Sequence, residues 1–111
     1  MAVAAAVAAQ GHGGAYYHLA LLLQTVRQDF DGAEAAYRAA IAVDPGQGNA
    51  EYNLGDLLHK LARQTEAMGG DLAAAAAQYE ECAQLWGVSE GADHELTKGA
   101  RANAARLRLR I

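Results

Sequence analysis

Apolar residues recur every three or four positions through most of the chain, which is the spacing of one face of an α-helix. The longest run carries Leu54, Leu57, Leu58, Leu61, Thr65 and Met68 over almost five turns. The same spacing predicts helices over residues 15–26, 30–43, 49–68, 72–86 and 92–111, after an Ala-rich segment over residues 1–10. No stretch shows the alternation of β-branched residues that is typical of a strand. The pattern therefore predicts an all-α fold.

Local signals predict where these helices begin and end. Asp29 and Asp71 are predicted N-caps, because a carboxylate there accepts a hydrogen bond from a free amide of the first turn. Asp44-Pro45-Gly46 ends one helix, since proline cannot donate the helical hydrogen bond, and Gly69-Gly70 ends the next. The predicted inner faces of the second and last helices are Phe30, Ala33, Tyr37, Ala40 and Ile41, and Leu96, Ala100, Ala104, Leu107 and Ile111.

Part of the sequence repeats at a shift of 42 residues. Asp29, Ala33, Tyr37 and Ala40 recur as Asp71, Ala75, Tyr79 and Cys82. A second match, at a shift of 35, takes Leu19, Ala20 and Leu23 to Leu54, Gly55 and Leu58. A helix-turn-helix pattern that recurs at such a period predicts a solenoid, in which each hairpin packs only on its neighbours.

The repeated residues resemble the tetratricopeptide repeat (TPR) family, whose first helix carries an aromatic residue, Leu, a small residue and a large residue. Tyr16, Leu19, Ala20 and Leu23 fit that order, and Ala33, Tyr37, Ala40 and Pro45 fit the second helix. The opening NAEYNLGDLL also resembles the family, except that Glu51 replaces the aromatic residue. The resemblance implies antiparallel helical hairpins stacked as a short right-handed α-solenoid.

The resemblance divides the chain into four segments. Residues 1–14 form an Ala-rich helix and turn with the length and place of a helix from an earlier repeat, and residues 15–47 form the first repeat. Residues 48–88 form a second repeat with extra residues, which either lengthen its helices or add a turn between them. Residues 89–111 form a capping helix, a partial third repeat, with a basic tail.

The first helix of each TPR hairpin lines a concave groove that accepts an extended peptide or a helix. By position, the resemblance implies a groove lined by Tyr17, Leu21, Gln24, Tyr52, Asp56, His59, Lys60, His94, Lys98 and Arg101. These residues suit a protein partner with apolar anchors and an acidic stretch near the last helix. The implied function is that of a non-catalytic adaptor, or of a structural subunit in a multi-subunit complex.

Charge is distributed unevenly in a chain of net charge −4. All 13 acidic residues lie between Asp29 and Glu95, and five of the nine basic residues follow that stretch. The end of the chain, RLRLRI, alternates like a strand but continues the register of the last helix, so we predict a helix. This tail suits a solubilising cap, docking on an acidic protein surface, or binding to RNA or lipid. An RNA-associated repeat protein is the alternative function, although no aromatic residues interleave with the arginines.

No motif predicts chemistry. Catalysis needs a nucleophile beside a base, paired carboxylates or a metal cluster. The histidines are scattered without metal-ligand spacing, and Asp56 and His59 most simply share a solvated helix face. Cys82, the single cysteine, occupies a small apolar position and cannot form an intrachain disulfide. We therefore predict no enzyme activity, cofactor or metal.

The sequence also bears on location. It has neither a secretory signal nor a run of about 20 apolar residues that could cross a bilayer. We expect a soluble protein inside the cell, in the cytoplasm or within an organelle.

Overall fold

Five helices make up most of the described chain. A computed structural model describes residues 13–46 and 48–111, and these contain no strand. The helices are α1 (Gly13–Thr25), α2 (Phe30–Val43), α3 (Asn49–Ala67), α4 (Leu72–Ser89) and α5 (Glu95–Arg108). The prediction of an all-helical chain is confirmed for these residues, whereas the helix predicted over residues 1–10 lies outside them. Packing separates two compact units, with the boundary between Glu51 and Tyr52.

The first unit contains the hairpin of α1 and α2. Its core is built of small residues around one tyrosine: Ala20, Ala33, Ala36, Tyr37 and Ala40 are buried. Alanine at these positions lets the two helices approach closely, because no longer side chain separates the backbones. Asp29 caps α2 as predicted, since its Oδ1 accepts a hydrogen bond from the Gly32 amide at 2.9 Å.

The turn into α3 is held by Glu51, the residue that departs from the TPR pattern. Its carboxylate is almost fully buried and accepts hydrogen bonds from the Gly46 amide at 2.8 Å and the Gly48 amide at 3.0 Å. Both glycines have positive φ angles, +81° and +98°, which a residue with a Cβ adopts at a cost. An aromatic ring could not accept these bonds, so the departure has a structural reason.

Replacing Glu51 with alanine is expected to lower the free energy of unfolding by about 1–2 kcal/mol, because two amides lose a charged acceptor. Chemical denaturation measures this change. Glu34→Ala is the matched control, since Glu34 makes only an exposed ion pair with Arg38, worth about 0.3–0.5 kcal/mol. Equal losses from the two substitutions would contradict the proposed role of Glu51.

The second unit contains α4, α5 and most of α3. Tyr52 at the start of α3 stacks on Trp86 near the end of α4, whereas His59 further along contacts Tyr79. This order of contacts shows that α3 and α4 run antiparallel. Asp71 caps α4 as predicted, because its Oδ1 accepts a hydrogen bond from the Ala74 amide at 3.1 Å.

The hairpin contacts of the first unit recur in the second at the shift of 42. The Tyr37 hydroxyl donates to Gln24 at 2.8 Å, and the Tyr79 hydroxyl donates to Glu66 at 2.6 Å. Ring contacts also correspond, since Tyr17 lies 6.2 Å from Tyr37 and His59 lies 5.3 Å from Tyr79. The shift of 42 therefore relates the tyrosine contacts of the two hairpins on both of their helices.

The extra residues of the second hairpin lengthen both of its helices. α3 has 19 residues and α4 has 18, compared with 13 in α1 and 14 in α2. Under the shift of 42, the turn before Asp71 matches the turn before Asp29. The added residues therefore lie at the start of α3 and at the end of α4. The alternative of an added turn between the helices is wrong.

A compact apolar cluster joins α5 to the hairpin of α3 and α4. It consists of Ala62, Ala75, Ala76, Tyr79, Ala104 and Leu107, with Leu72 packed against it. Thr97 is buried at the other end of α5, where its hydroxyl donates to the Gly91 carbonyl at 2.8 Å. The last helix is thus anchored at both ends.

Several predicted inner-face positions are wrong. Met68 follows the end of α3 and is 83% exposed. The last buried residue of α3 is Ala62, which the predicted apolar face did not include. Ile111 lies beyond α5 and is 64% exposed, and Phe30 is partly exposed at the first position of α2. The apolar spacing continues to Met68 and Ile111, beyond the ends of their helices, and no other described element buries these two side chains.

Candidate binding surface

The three groove residues predicted on α1 lie in the first unit, and two of them contact Tyr37. Gln24 accepts the Tyr37 hydroxyl hydrogen bond, and Tyr17 packs against the ring. Leu21, one turn after Tyr17, is half-buried. This side of α1 therefore supports its hairpin partner while keeping part of its surface open.

The groove residues predicted on α3 have different roles. Tyr52 and His59 both stack on Trp86, at ring distances of 6.2 Å and 5.5 Å. Asp56 and Lys60 pair with each other at 3.0 Å across one helical turn. The structure brings Tyr52 and His59 together around one indole, and it leaves the charged pair on the surface.

Of the groove residues predicted on α5, His94 precedes the helix, and Lys98 and Arg101 lie within it. His94 is the N-cap, and its Nδ1 accepts a hydrogen bond from the Leu96 amide at 3.1 Å. Lys98 pairs with Glu95 at 3.1 Å, and Arg101 donates to the Ala92 carbonyl at 3.2 Å. None of the three lines the same depression as the predicted residues of α3.

An open groove of about 460 Å³ runs between α3 and α5 over the Tyr79 side chain. We call it the α3–α5 groove, and it is lined by His59, Arg63, Glu66, Ala67, Tyr79, Asn103 and Arg106. Under the shift of 42, three of these residues correspond to the predicted groove residues of α1. His59, Arg63 and Glu66 take the places of Tyr17, Leu21 and Gln24. The face of α3 that corresponds to the predicted groove face of α1 thus forms one wall of the α3–α5 groove.

Glu66 joins the two walls of the α3–α5 groove. Its Oε1 lies 2.9 Å from one terminal nitrogen of Arg106, and its Oε2 accepts the other at 3.1 Å. The Tyr79 hydroxyl donates to the same Oε2 from the floor. Asn103 accepts a further bond from Arg106 at 3.3 Å. This network fixes the Arg106 side chain, because a two-point carboxylate contact defines the guanidinium plane.

The network shifts the protonation equilibria of its members. Hydrogen bonds from Arg106 and Tyr79 lower the pKa of Glu66, so this carboxylate is ionised at neutral pH. Burial, followed by the hydrogen bond to Glu66, raises the pKa of Tyr79 to about 12. The groove floor therefore holds a neutral phenol that donates to a fixed carboxylate.

His59 and Arg63 make the α3 wall distinct in charge. Burial, and then the neighbouring Arg63 cation, lower the pKa of His59, which outweighs the opposite effect of Asp56 and Glu66. The imidazole is therefore neutral at pH 7, where it packs on Tyr79 and Trp86. Arg63 is exposed and makes no ion pair within the described part of the chain.

A glycine positions Trp86 behind this wall. Gly55 lies on α3, where an added Cβ would come within 2.6 Å of the Trp86 Nε1 atom. The indole packs against the glycine, donates to the Tyr52 carbonyl at 3.0 Å and is only 4% exposed. The ring contact between His59 and Trp86 therefore depends on the missing side chain at Gly55.

The basic tail is engaged within its own chain. Arg106 pairs with Glu66 of α3, and Arg108 makes a two-point contact with Glu80 of α4, at 2.7 and 3.1 Å. The helical register predicted for this tail is confirmed as far as Arg108. Two of its arginines are thereby committed to the acidic surface of the adjacent hairpin.

The sequence predicted one residue of the α3–α5 groove, His59, and missed the others. The available signal was the shift of 42, which takes the predicted Leu21 and Gln24 to Arg63 and Glu66. Arg106 and Glu66 are 40 residues apart, and no local pattern links them. Cys82 is buried as predicted, and burial raises the pKa of its thiol to about 12.

Comparison with known proteins leaves the chain without a match. No protein-family model, curated protein or solved structure matches it. In residues 13–46 and 48–111, no cluster of three or more His, Cys, Asp or Glu side chains could hold a metal ion. None of the five helices is long and apolar enough to span a membrane.

Proposed function

We propose that this chain is a non-catalytic protein-interaction module, an adaptor or a structural subunit of a larger assembly, built as a short TPR-like solenoid. The partner segment lies in the α3–α5 groove. The observation that carries the proposal is the groove itself, which is open, lined mostly by polar side chains and bounded by two anchored helices. Such a surface suits a peptide or helix better than a small substrate, which binds in an enclosed pocket.

The hairpin packing supports the TPR-like architecture. Ala20, Ala33, Gly55 and Ala75, the small residues that the resemblance uses for close helix approach, are all buried. Contacts of the repeated tyrosine recur between hairpins at a constant shift. A recurring hairpin of this kind is the unit from which a solenoid is built.

His59 and Cys82, two side chains that could carry chemistry, are occupied in packing. His59 is held between aromatic rings, and its neutral form is favoured. The Cys82 thiol is buried, and its raised pKa keeps it protonated, whereas a reactive cysteine needs the thiolate. These observations support a binding role over catalysis.

The contacts of the tail weigh against the alternative of RNA binding. Arg106 and Arg108 are neutralised by Glu66 and Glu80, so they are not available to phosphates without breaking two-point ion pairs. Tyr79 and Trp86 are 1% and 4% exposed, which leaves these rings no open face on which a base could stack. We therefore favour a protein partner.

A neutral steric block tests whether the groove binds a protein. Ala67→Trp fills the groove from the end of α3, and Ala77→Trp on the exposed face of α4 is the matched control. Tagged chains are used to capture proteins from an extract of the source cells, with and without ribonuclease. We expect a ribonuclease-resistant partner that the wild type and Ala77→Trp retain and Ala67→Trp loses. Equal capture by the two variants, or loss after ribonuclease, would reject the proposal.

A further inference from the structure

Cations line both sides of the α3–α5 groove in a chain that is acidic as a whole. Arg63 lines the groove from α3 and Arg106 lines it from α5, and Lys60 lies one turn before Arg63 on α3. Asp56 pairs with Lys60, and Glu66 pairs with Arg106. Arg63 has no carboxylate partner in the described residues, so the groove keeps an excess of positive charge.

Glu66 shows how side chains of the groove bind a carboxylate. Glu66 takes a two-point contact from Arg106 and a hydrogen bond from Tyr79. Beside this filled place, Arg63 and the Asn103 amide line the same groove from opposite helices. A second carboxylate between them would meet a planar guanidinium and an amide donor, which are good partners for such an anion.

Resting on the proposed function, we propose that the occupant of the α3–α5 groove is an acidic peptide segment, with one carboxylate bound by Arg63 and Asn103. Charge complementarity is the reason, because the groove is cationic although the chain carries a net charge of −4. The acidic body repels a long polyanion, whereas a short segment placed in the groove meets mainly the local cations. Recognition is therefore expected to be short-range and sensitive to salt.

The corresponding face of the first hairpin indicates which residue gives this preference. There, Leu21 and Gln24 occupy the places of Arg63 and Glu66, so that face lacks charge at both positions. The preference for an acidic ligand is therefore a property of the second hairpin, and it depends on Arg63. Its side chain is exposed, so replacing it leaves the core intact.

The test uses fluorescein-labelled peptides and the full chain. The probes are a hexamer of glutamate flanked by glycines, the corresponding glutamine and lysine hexamers, and a short single-stranded RNA. Fluorescence anisotropy in low and in physiological salt gives the dissociation constants. We expect the glutamate peptide to bind most tightly and to weaken as salt rises.

Two substitutions with opposite expected effects make the test specific. Arg63→Gln is expected to weaken binding of the glutamate peptide about five- to tenfold, because it removes the unmatched cation. Glu66→Gln is expected to strengthen binding severalfold, because it removes an anion and releases Arg106 from its ion pair. Simple loss of folding cannot tighten binding. Arg27→Gln, an equal charge change in the first unit, is the control and should have little effect.

Three results would overturn the inference. The first is equal binding of the glutamate and glutamine peptides, or no binding of either. The second is an unchanged affinity in Arg63→Gln, and the third is tighter, Arg63-dependent binding of the RNA. The proposed function is judged separately, because the neutral Ala67→Trp block reports on any groove partner. A partner lost with that variant while the glutamate peptide fails to bind would mean a groove ligand of different chemistry.

Discussion

Replacing Leu107 with alanine is expected to destabilise the second unit by about 2–5 kcal/mol, the usual cost of such a cavity in a packed core. Leu107 is fully buried and closes the cluster formed by Ala62, Ala75 and Tyr79. The neighbours are largely alanines, whose short side chains cannot move to fill the space. Denaturant unfolding followed by the fluorescence of Trp86, the single tryptophan, measures the loss in this unit.

Leu109→Ala is the matched control for Leu107→Ala. Leu109 follows two residues later, just after the end of α5, and is 90% exposed. The same chemical change is therefore expected to alter the unfolding free energy by less than about 0.5 kcal/mol. Similar losses at both positions would show that α5 does not pack in the register described, and the α3–α5 groove would lose its second wall.

Replacing Gly55 with alanine is expected to lower the free energy of unfolding by about 1–3 kcal/mol, which is typical of overpacking a core. The new methyl group would meet Trp86 at distances no real Cβ contact shows, so the indole must leave its place. Displacement breaks the hydrogen bond to the Tyr52 carbonyl and separates the ring from His59. We expect the emission of Trp86 to shift to longer wavelength as the ring becomes exposed.

Gly99→Ala provides the opposite expectation. Gly99 lies inside α5 with open space around it, so an added methyl group meets nothing. Alanine is favoured over glycine within a helix by about 1 kcal/mol, and the variant should therefore be more stable than the wild type. If Gly55→Ala were also stabilising, with unchanged Trp86 emission, the close contact between α3 and the indole would be incorrect.

Leu107 matters for the candidate site because its two neighbours in the sequence form the ion pairs that join α5 to α3 and α4. Three consecutive residues, Arg106, Leu107 and Arg108, reach α3, the core and α4 in turn. Successive side chains point about 100° apart around a helix, so one helical turn can contact three surroundings. The alternation of RLRLRI resembles a strand in sequence, yet its spacing serves a helix that lies between two others.

Much of the helical structure could be predicted from local signals. Asp29 and Asp71 cap their helices, because the capping bond spans only three residues and depends on the side chain alone. Alanine-rich segments favour helix without help from tertiary contacts. Tyr37 lies on a predicted inner face, Tyr79 is its match at the shift of 42, and both are buried.

The candidate site could be predicted only in part, because its contacts join distant residues. The shift of 35 matched Leu54 and Leu58 to the first helix, since leucine and small residues recur at similar spacings throughout the chain. Only contacts such as Tyr79 with Glu66 show that the shift of 42 applies to both helices. The groove prediction consequently placed Asp56 where Arg63 lies.

By itself, the sequence determined the helices, their caps and the positions at which alanine lets two helices approach. These features follow from hydrogen bonds between residues close in the sequence and from the volumes of the side chains themselves. Tertiary structure decided the register between helices, the partners of Glu66 and Glu80, and the charge that remains at Arg63. Those features depend on contacts between side chains that are tens of residues apart in the sequence. Local preferences do not determine which of these side chains meet.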